Sequence, residues 1–310
     1  MLSVRLPDLP TATSSATGVV IARNVYICGG VSGDLASAHV VLAYDLDKAT
    51  WTQLPPAPQY DNEAVAINNQ LVLIGGCEAS SHTISNIVST WTGQDWEQDL
   101  PAMPTKRFRA GVTTYGTHVI VAGGMAEDEQ TLLGSIDLLD TTTRQWCTAS
   151  NLQLPRPMFC IQITVNATHI CVTSASIAYD ATTTTTTSPN KVWQLPVSTL
   201  AKALTNEDRG PHQWAVIAST PHYCSALVQG TDHLLAVGGR DDSYQPTANI
   251  AVCSPHGDKW TTVGQLLEPR LWCTVVSLTT FSFLVCGGRS DARDKNTRLK
   301  SVEVVSCDMK

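Results

Sequence analysis

Tyr26-Ile27-Cys28-Gly29-Gly30 brings an apolar run to a stop on a glycine pair, and the same ending returns at Gly75-Gly76, Gly123-Gly124, Gly238-Gly239 and Gly287-Gly288. One unit of roughly 45 to 50 residues is therefore copied along the chain, which is the signature of a repeat architecture and directs the search for function to loops.

Outward from the glycines, each copy has the same order: a polar or proline-containing loop, an apolar strand, a second apolar strand ending on the glycines, a variable loop, a third strand and a tryptophan strand. In the second copy, Glu63-Ala64-Val65-Ala66-Ile67 is separated from Leu71-Val72-Leu73-Ile74 by a turn that includes Asn68-Asn69, a hairpin signal. The third copy repeats this with Gly111 to Tyr115, a turn at Gly116, and Val119 to Ala122. Paired glycines at a strand end allow a left-handed backbone and a close strand approach that a side chain would obstruct.

The tryptophans supply an independent ruler. Trp51, Trp96, Trp146, Trp214 and Trp260 are spaced by 45, 50, 68 and 46 residues, which isolates the fourth copy as irregular. Aligning Thr168-His169-Ile170-Cys171 with Thr117-His118-Val119-Ile120 puts Ser174-Ala175 where its glycines belong. Extra chain between Tyr179-Asp180 and Trp214 predicts an enlarged hairpin at about 181–213, between third and fourth strands, holding the threonine tract Thr182 to Thr187 and one helical turn around Leu200 to Leu204. The sixth copy stops before any tryptophan strand. Leu2-Ser3-Val4-Arg5-Leu6-Pro7 resembles the segment Thr52-Gln53-Leu54-Pro55 that follows a tryptophan, so the N-terminal strand is expected to complete the last sheet. Such closure removes an open sheet edge. The expected fold is all-β: a six-bladed propeller of four antiparallel strands per blade, forming a single domain over 1–310.

These residues resemble the kelch repeat family, whose propeller blades are marked by a double glycine, a tyrosine near the third strand and a later tryptophan. Tyr44-Asp45 with Trp51 fits best, Leu138-Leu139-Asp140 with Trp146 is a close variant, and Tyr179-Asp180 is expected to mark the fourth copy. The departures are Ser174-Ala175, the fourth-copy insertion, and Ile250-Ala251-Val252-Cys253 in place of a tyrosine. The resemblance implies a partner-binding module for substrate recognition. Many kelch proteins carry an oligomerisation or adaptor domain ahead of the propeller, so an adaptor function rests on sequence beyond this chain.

No apolar run approaches the ~18 residues that cross a bilayer, and Pro7 and Pro10 break any secretion signal. The ten cysteines are scattered, with no zinc-like pairing, and are read as reduced core thiols of a cytoplasmic protein. A net charge of −7, with no basic cluster to offset it, argues against nucleic acid and anionic membranes as partners.

The loops before the innermost strands carry Tyr60, Asp61, Arg107, Phe108, Arg109, Arg156, Tyr223, Arg270 and Trp272 at comparable phases of the repeat. Closure is expected to gather them around one mouth. Arginine forks two donors onto a carboxylate, and aromatic rings supply contact area at little conformational cost. The set suits a protein or peptide with an acidic segment, with Arg109 and Arg156 as leading anion contacts and no metal or cofactor required. Carboxylates in the loops after the glycines, Asp34, Glu78, Glu127, Asp128, Glu129, Asp241, Asp242, Asp291 and Asp294, are expected to compete for those arginines. The alternative is a small sugar- or carboxylate-handling isomerase or lyase, with Glu63 or His222 moving the proton.

Overall fold

In a computed structural model, the described residues are 1–31, 36–174, 191–204, 212–229, 233–253, 259–294 and 296–306. They form six four-stranded antiparallel sheets, each a meander running from an inner to an outer strand, and the fold is a six-bladed β-propeller. Two compact units divide the chain: one holds blades one, five and six, the other blades two, three and four.

Blade one of the first unit consists of Thr17–Ile21, Asn24–Cys28, Val41–Asp45 and Thr50–Leu54. Blade five consists of Ala226–Gln229, Leu234–Val237, Asn249–Cys253 and Trp260–Gln265. Blade six takes Thr274–Thr279, Ser282–Cys286 and Val302–Ser306 from the end of the chain and Leu2–Leu6 from its start, with Leu2 opposite Ser306 and Leu6 opposite Val302. The expected N-terminal closure is thus observed. Arg5 reinforces it through Glu268 at 2.7 Å, and Trp51 donates its indole N–H to the Pro7 carbonyl at 2.9 Å. Blades one and six pack closely because a Cβ at Gly18 would lie 2.5 Å from Val276.

In the second unit, blade two consists of Glu63–Ile67, Gln70–Ile74, Val88–Trp91 and Trp96–Glu97; Asn68 and Asn69 both turn left-handed, at φ 50° and 63°, to join its first pair. Blade three consists of Gly111–Tyr115, His118–Ala122, Ser135–Asp140 and Gln145–Gln153. Gly111 lets blade four approach, since a Cβ there would lie 2.6 Å from Ile161. The outer-strand tryptophans act as staples: Trp146 donates to Pro101 at 2.7 Å and Trp214 to Gln153 at 2.7 Å.

Blade four corrects the sequence reading. Its strands are Ile161–Val165, His169–Ser174, Lys191–Pro196 and Ala215–Ser219. The third strand is therefore Lys191–Pro196, with Leu195 opposite Ile170, the register that Tyr44 occupies opposite Val25 in blade one. Tyr179-Asp180 and the threonine tract lie outside the described residues and precede this strand. Only the later part of the insertion belongs between third and fourth strands. It forms an α-helix, Val197–Leu204, that buries Val197, Leu200 and Ala203 at the three-residue spacing of one helical face.

The glycine pairs have a common cause. The first glycine of each pair lies at φ 60–67° and the second at 87–103°. A Cβ on Gly76 would lie 2.3 Å from the Tyr60 carbonyl, on Gly124 2.9 Å from that of Phe108, and on Gly288 2.8 Å from that of Leu271. The loop before each inner strand is thereby pressed against the end of the second strand.

Candidate functional site

That contact defines a three-residue frame repeated once per blade. Its middle residue forms a backbone bridge with the residue after the glycines: Ser14 with Val31, Tyr60 with Cys77, Phe108 with Met125, Tyr223 with Arg240 and Leu271 with Arg289. The next residue is left-handed in all six blades: Ser15, Asp61, Arg109, Cys160, Cys224 and Trp272 have φ between 49° and 57°. None is glycine, so each carries a conformational cost that persists only because its surroundings impose it, a pattern associated with functional sites. Hydrogen bonds link these residues within each unit. Ser15 donates its backbone N–H to Trp272 at 2.9 Å, Trp272 to Cys224 at 3.3 Å, and Cys160 to Arg109 at 2.9 Å. In each unit the repeated frame thus presents three side chains of different chemistry.

In the unit of blades two to four, the frame brings Asp61 and Arg109 together, with Arg109 Nη2 3.4 Å from Asp61 Oδ2. The same guanidinium lies 4.0 Å from Cys160 Sγ and 5.6 Å from the centre of the Phe108 ring. Burial opposes the charge on Arg109, but Asp61 and Cys160 outweigh it and hold its pKa above the ordinary value. Burial also pushes the Cys160 thiol up, against the pull of Arg109. Tyr60 sits beside His82, its hydroxyl 3.4 Å from Nδ1. Arg156 is exposed and stacks over Trp193 of blade four at 5.1 Å.

Arg107 and Arg270 are not ligand contacts. Both side chains are fully buried. Arg107 donates to the Gly123 and Ser135 carbonyls at 2.9 and 3.2 Å, to Ser135 Oγ at 3.2 Å and to Asp137 at 2.6 Å. Arg270 repeats the arrangement on Gly287, Ser301 and Glu303. Each is the first residue of the frame, two before the left-handed position, and caps the carbonyl of the first glycine. Thr13 and Gln59 do the same for Gly29 and Gly75.

In the unit of blades one, five and six, Tyr223 and Trp272 serve as platforms for arginines that the sequence reading missed. Arg240 lies 4.5 Å from the Tyr223 ring and 4.0 Å from the Tyr244 ring, and Arg289 lies 4.8 Å from the Trp272 ring. Both arginines directly follow a glycine pair, at the head of loops that also carry Asp241, Asp242, Asp291 and Asp294. Asp34 lies outside the described residues, and several of the described carboxylates in the loops after the glycines are engaged elsewhere. Asp128, Asp241, Asp291 and Asp294 accept backbone N–H groups of their own turns, and Glu127 pairs with Lys106. His222, offered as a proton carrier, lies 3.4 Å from Asn249, and burial lowers its pKa against the pull of Asp241 and Asp242. Among the described residues no cluster of metal-ligating side chains occurs.

The arrangement is that of a β-propeller carrying variable side chains on a repeated loop frame. A family model for the Kelch motif matches residues 12–58 and 106–153. Kelch-like protein 41a of Danio rerio is 30% identical over 112 residues, covering 36% of this chain and 18% of that protein. Kelch repeat and BTB domain-containing protein 1 of Camelpox virus (strain CMS) is 23% identical over 256 residues, covering 82% of this chain and 42% of that protein. The match to each of these relatives covers less than half of the relative's length. The solved structure of YjhT superposes with a TM-score of 0.75 at 14% identity, covering 98% of both chains. Two stretches of a chain that folds as a six-bladed β-propeller thus match the Kelch motif.

Proposed function

We propose that this chain is a binding module that recognises a protein or peptide, with an acidic segment of the partner engaging Arg109. The carrying observation is the frame itself: six left-handed, non-glycine positions on one repeated backbone, holding Ser15, Asp61, Arg109, Cys160, Cys224 and Trp272. A scaffold that keeps its backbone while varying its side chains suits recognition, and the conformational cost is borne where a partner would be met. Arg109 supports the acidic part of the reading. Its carboxylate partner is a long 3.4 Å away, so an incoming carboxylate can take over the guanidinium's donors while Tyr60 and Phe108 add contact area. The kelch relatives support protein partners in general. Thiols at all nine described cysteines support a reducing, cytoplasmic setting.

The test compares proteins retained from a lysate by the intact chain and by Arg109→Ala, quantified by mass spectrometry, after thermal melting shows that the variant is folded. Selective loss of one partner is expected. An unchanged set of partners would remove Arg109 from the site.

A further inference from the structure

Blades five and six carry four arginines without an ion pair among the described residues: Arg240, Arg289, Arg293 and Arg298. By contrast, Arg5, Arg23, Arg107, Arg109, Arg144 and Arg270 all form one. The local carboxylates are turned away onto backbone. Asp241 accepts from Gln245 at 2.8 Å, Asp291 from Arg293 N–H at 2.7 Å, and Asp294 from Asn296 at 2.8 Å.

The four fall into two pairs, and Arg289, Arg293 and Arg298 share the loop after Gly287-Gly288. Arg289 and Arg298 face each other across an antiparallel bridge, and Arg240 and Arg293 lie 4.0 and 5.8 Å from the same Tyr244 ring. Arg240 is only 4% exposed, and among the described residues its guanidinium donates only to the backbone carbonyl of Asp241. The Nε atoms of Arg289 and Arg298 are buried without a partner. Arg107 and Arg270 also leave Nε without a partner, but their terminal nitrogens are saturated by carbonyls, a hydroxyl and a carboxylate. Arg289 and Arg298 make no side-chain hydrogen bond among the described residues. Burial and the proximity of Arg298 both lower the pKa of Arg289, with Asp294 opposing, so adding negative charge here relieves a repulsion already present.

Stacking on Tyr223, Tyr244 and Trp272 fixes guanidinium planes while leaving their N–H edges to donate. One carboxylate satisfies one such fork. A phosphoryl group carries close to two negative charges and three acceptor oxygens, which matches several adjacent guanidiniums. We infer that the arginine–aromatic cluster of Arg240, Arg289, Arg293 and Arg298 binds a phosphorylated side chain of a partner protein. This goes beyond acidic recognition at Arg109 and rests on the reading of the chain as a binding module.

The experiment uses the full chain and three immobilised peptide pools, identical except for a fixed central phosphoserine, glutamate or serine. Retention on the phosphoserine pool is expected to exceed the glutamate pool at least tenfold, and to fall about tenfold in Arg289→Ala/Arg298→Ala. Exposed Arg293→Glu, which leaves the buried groups in place, should weaken it in the same direction. Arg23→Ala in blade one should leave it unchanged, and melting curves verify folding of each variant. Equal retention on the phosphoserine and glutamate pools overturns the inference while leaving the acidic reading intact, and so does retention indifferent to Arg293→Glu. Competition by free phosphoserine as strong as by the phosphopeptide pool would assign the site to small phosphorylated molecules and overturn the assignment to a partner side chain. The Arg109 comparison fails or succeeds independently of these outcomes.

Discussion

Two arginines two residues apart, Arg107 and Arg109, have opposite fates because the frame reverses direction between them. Arg107 points into the blade, and its charge is matched on the third strand by Asp137, as Arg270 is matched by Glu303. Blade two solves the same problem without charge. Gln59 caps Gly75 and Ile87 at 2.9 and 3.3 Å, and Ser89 donates to it at 2.7 Å. Blade four uses an apolar pair, Met158 and Trp193, within one core cluster. Arg107→Gln alone strands a buried carboxylate and should cost about 3–5 kcal/mol, the usual penalty for breaking a buried pair from one side. Arg107→Gln/Asp137→Ser copies blade two and should recover most of it in urea unfolding. This complementarity was legible in the sequence, since Gln59 with Ser89 and Arg107 with Asp137 share one spacing. Reading the loops only for ligand contacts concealed it, and the inward turn of the first frame residue depends on a left-handed backbone that composition does not announce.

His222 occupies that first frame position in blade five, but Ala251 stands where blades three and six place Asp137 and Glu303. With no carboxylate in that register, burial lowers its pKa below the unfolded value of about 6.5. The folded state then resists the proton that the unfolded state accepts. The stability contribution is present above about pH 6.5 and falls as pH drops through that value towards the folded pKa. Urea titrations between pH 7.5 and 5 should show this decline in the wild type and a flatter profile in His222→Gln.

At the scale of elements, the strand Leu2–Leu6 is the closure that the missing sixth tryptophan strand implied. Deleting residues 1–6 removes the partner of Val302–Ser306 and leaves an unpaired edge. Amide exchange in Val302–Ser306 should accelerate, and a peptide of residues 1–9 added in trans should restore protection; unchanged exchange would mean that the strand is dispensable. The tryptophan ruler located the irregular fourth repeat but not the side of the third strand on which the insertion falls. Spacing between tryptophans is blind to that order, and Lys191–Pro196 lacks the tyrosine-aspartate pair, placing Leu195 in the tyrosine's register instead. The helix Val197–Leu204 was foreseen only as a single turn, because Leu200 to Leu204 shows its apolar face while Val197 extends it one turn earlier.

At the scale of the whole molecule, the six-fold repeat was legible because glycine pairs and tryptophans answer to backbone geometry and packing that every blade must satisfy. The candidate site was only partly legible: Tyr60, Asp61, Phe108, Arg109, Tyr223 and Trp272 occupy the repeated frame, Arg107 and Arg270 hold it from within, and Arg156 stacks on Trp193. Recognition residues are free to differ from blade to blade, so repetition points to their positions and not to their chemistry. The measurement that tests the central claim most directly is photo-crosslinking, with a photoreactive residue placed singly at exposed Ser15 or half-buried Asp61 on the frame, or at exposed Val216 or Val263 on outer strands. A discrete cross-linked partner is expected from the frame positions and none from the outer strands. Cross-links from Val216 or Val263 alone would contradict the central claim.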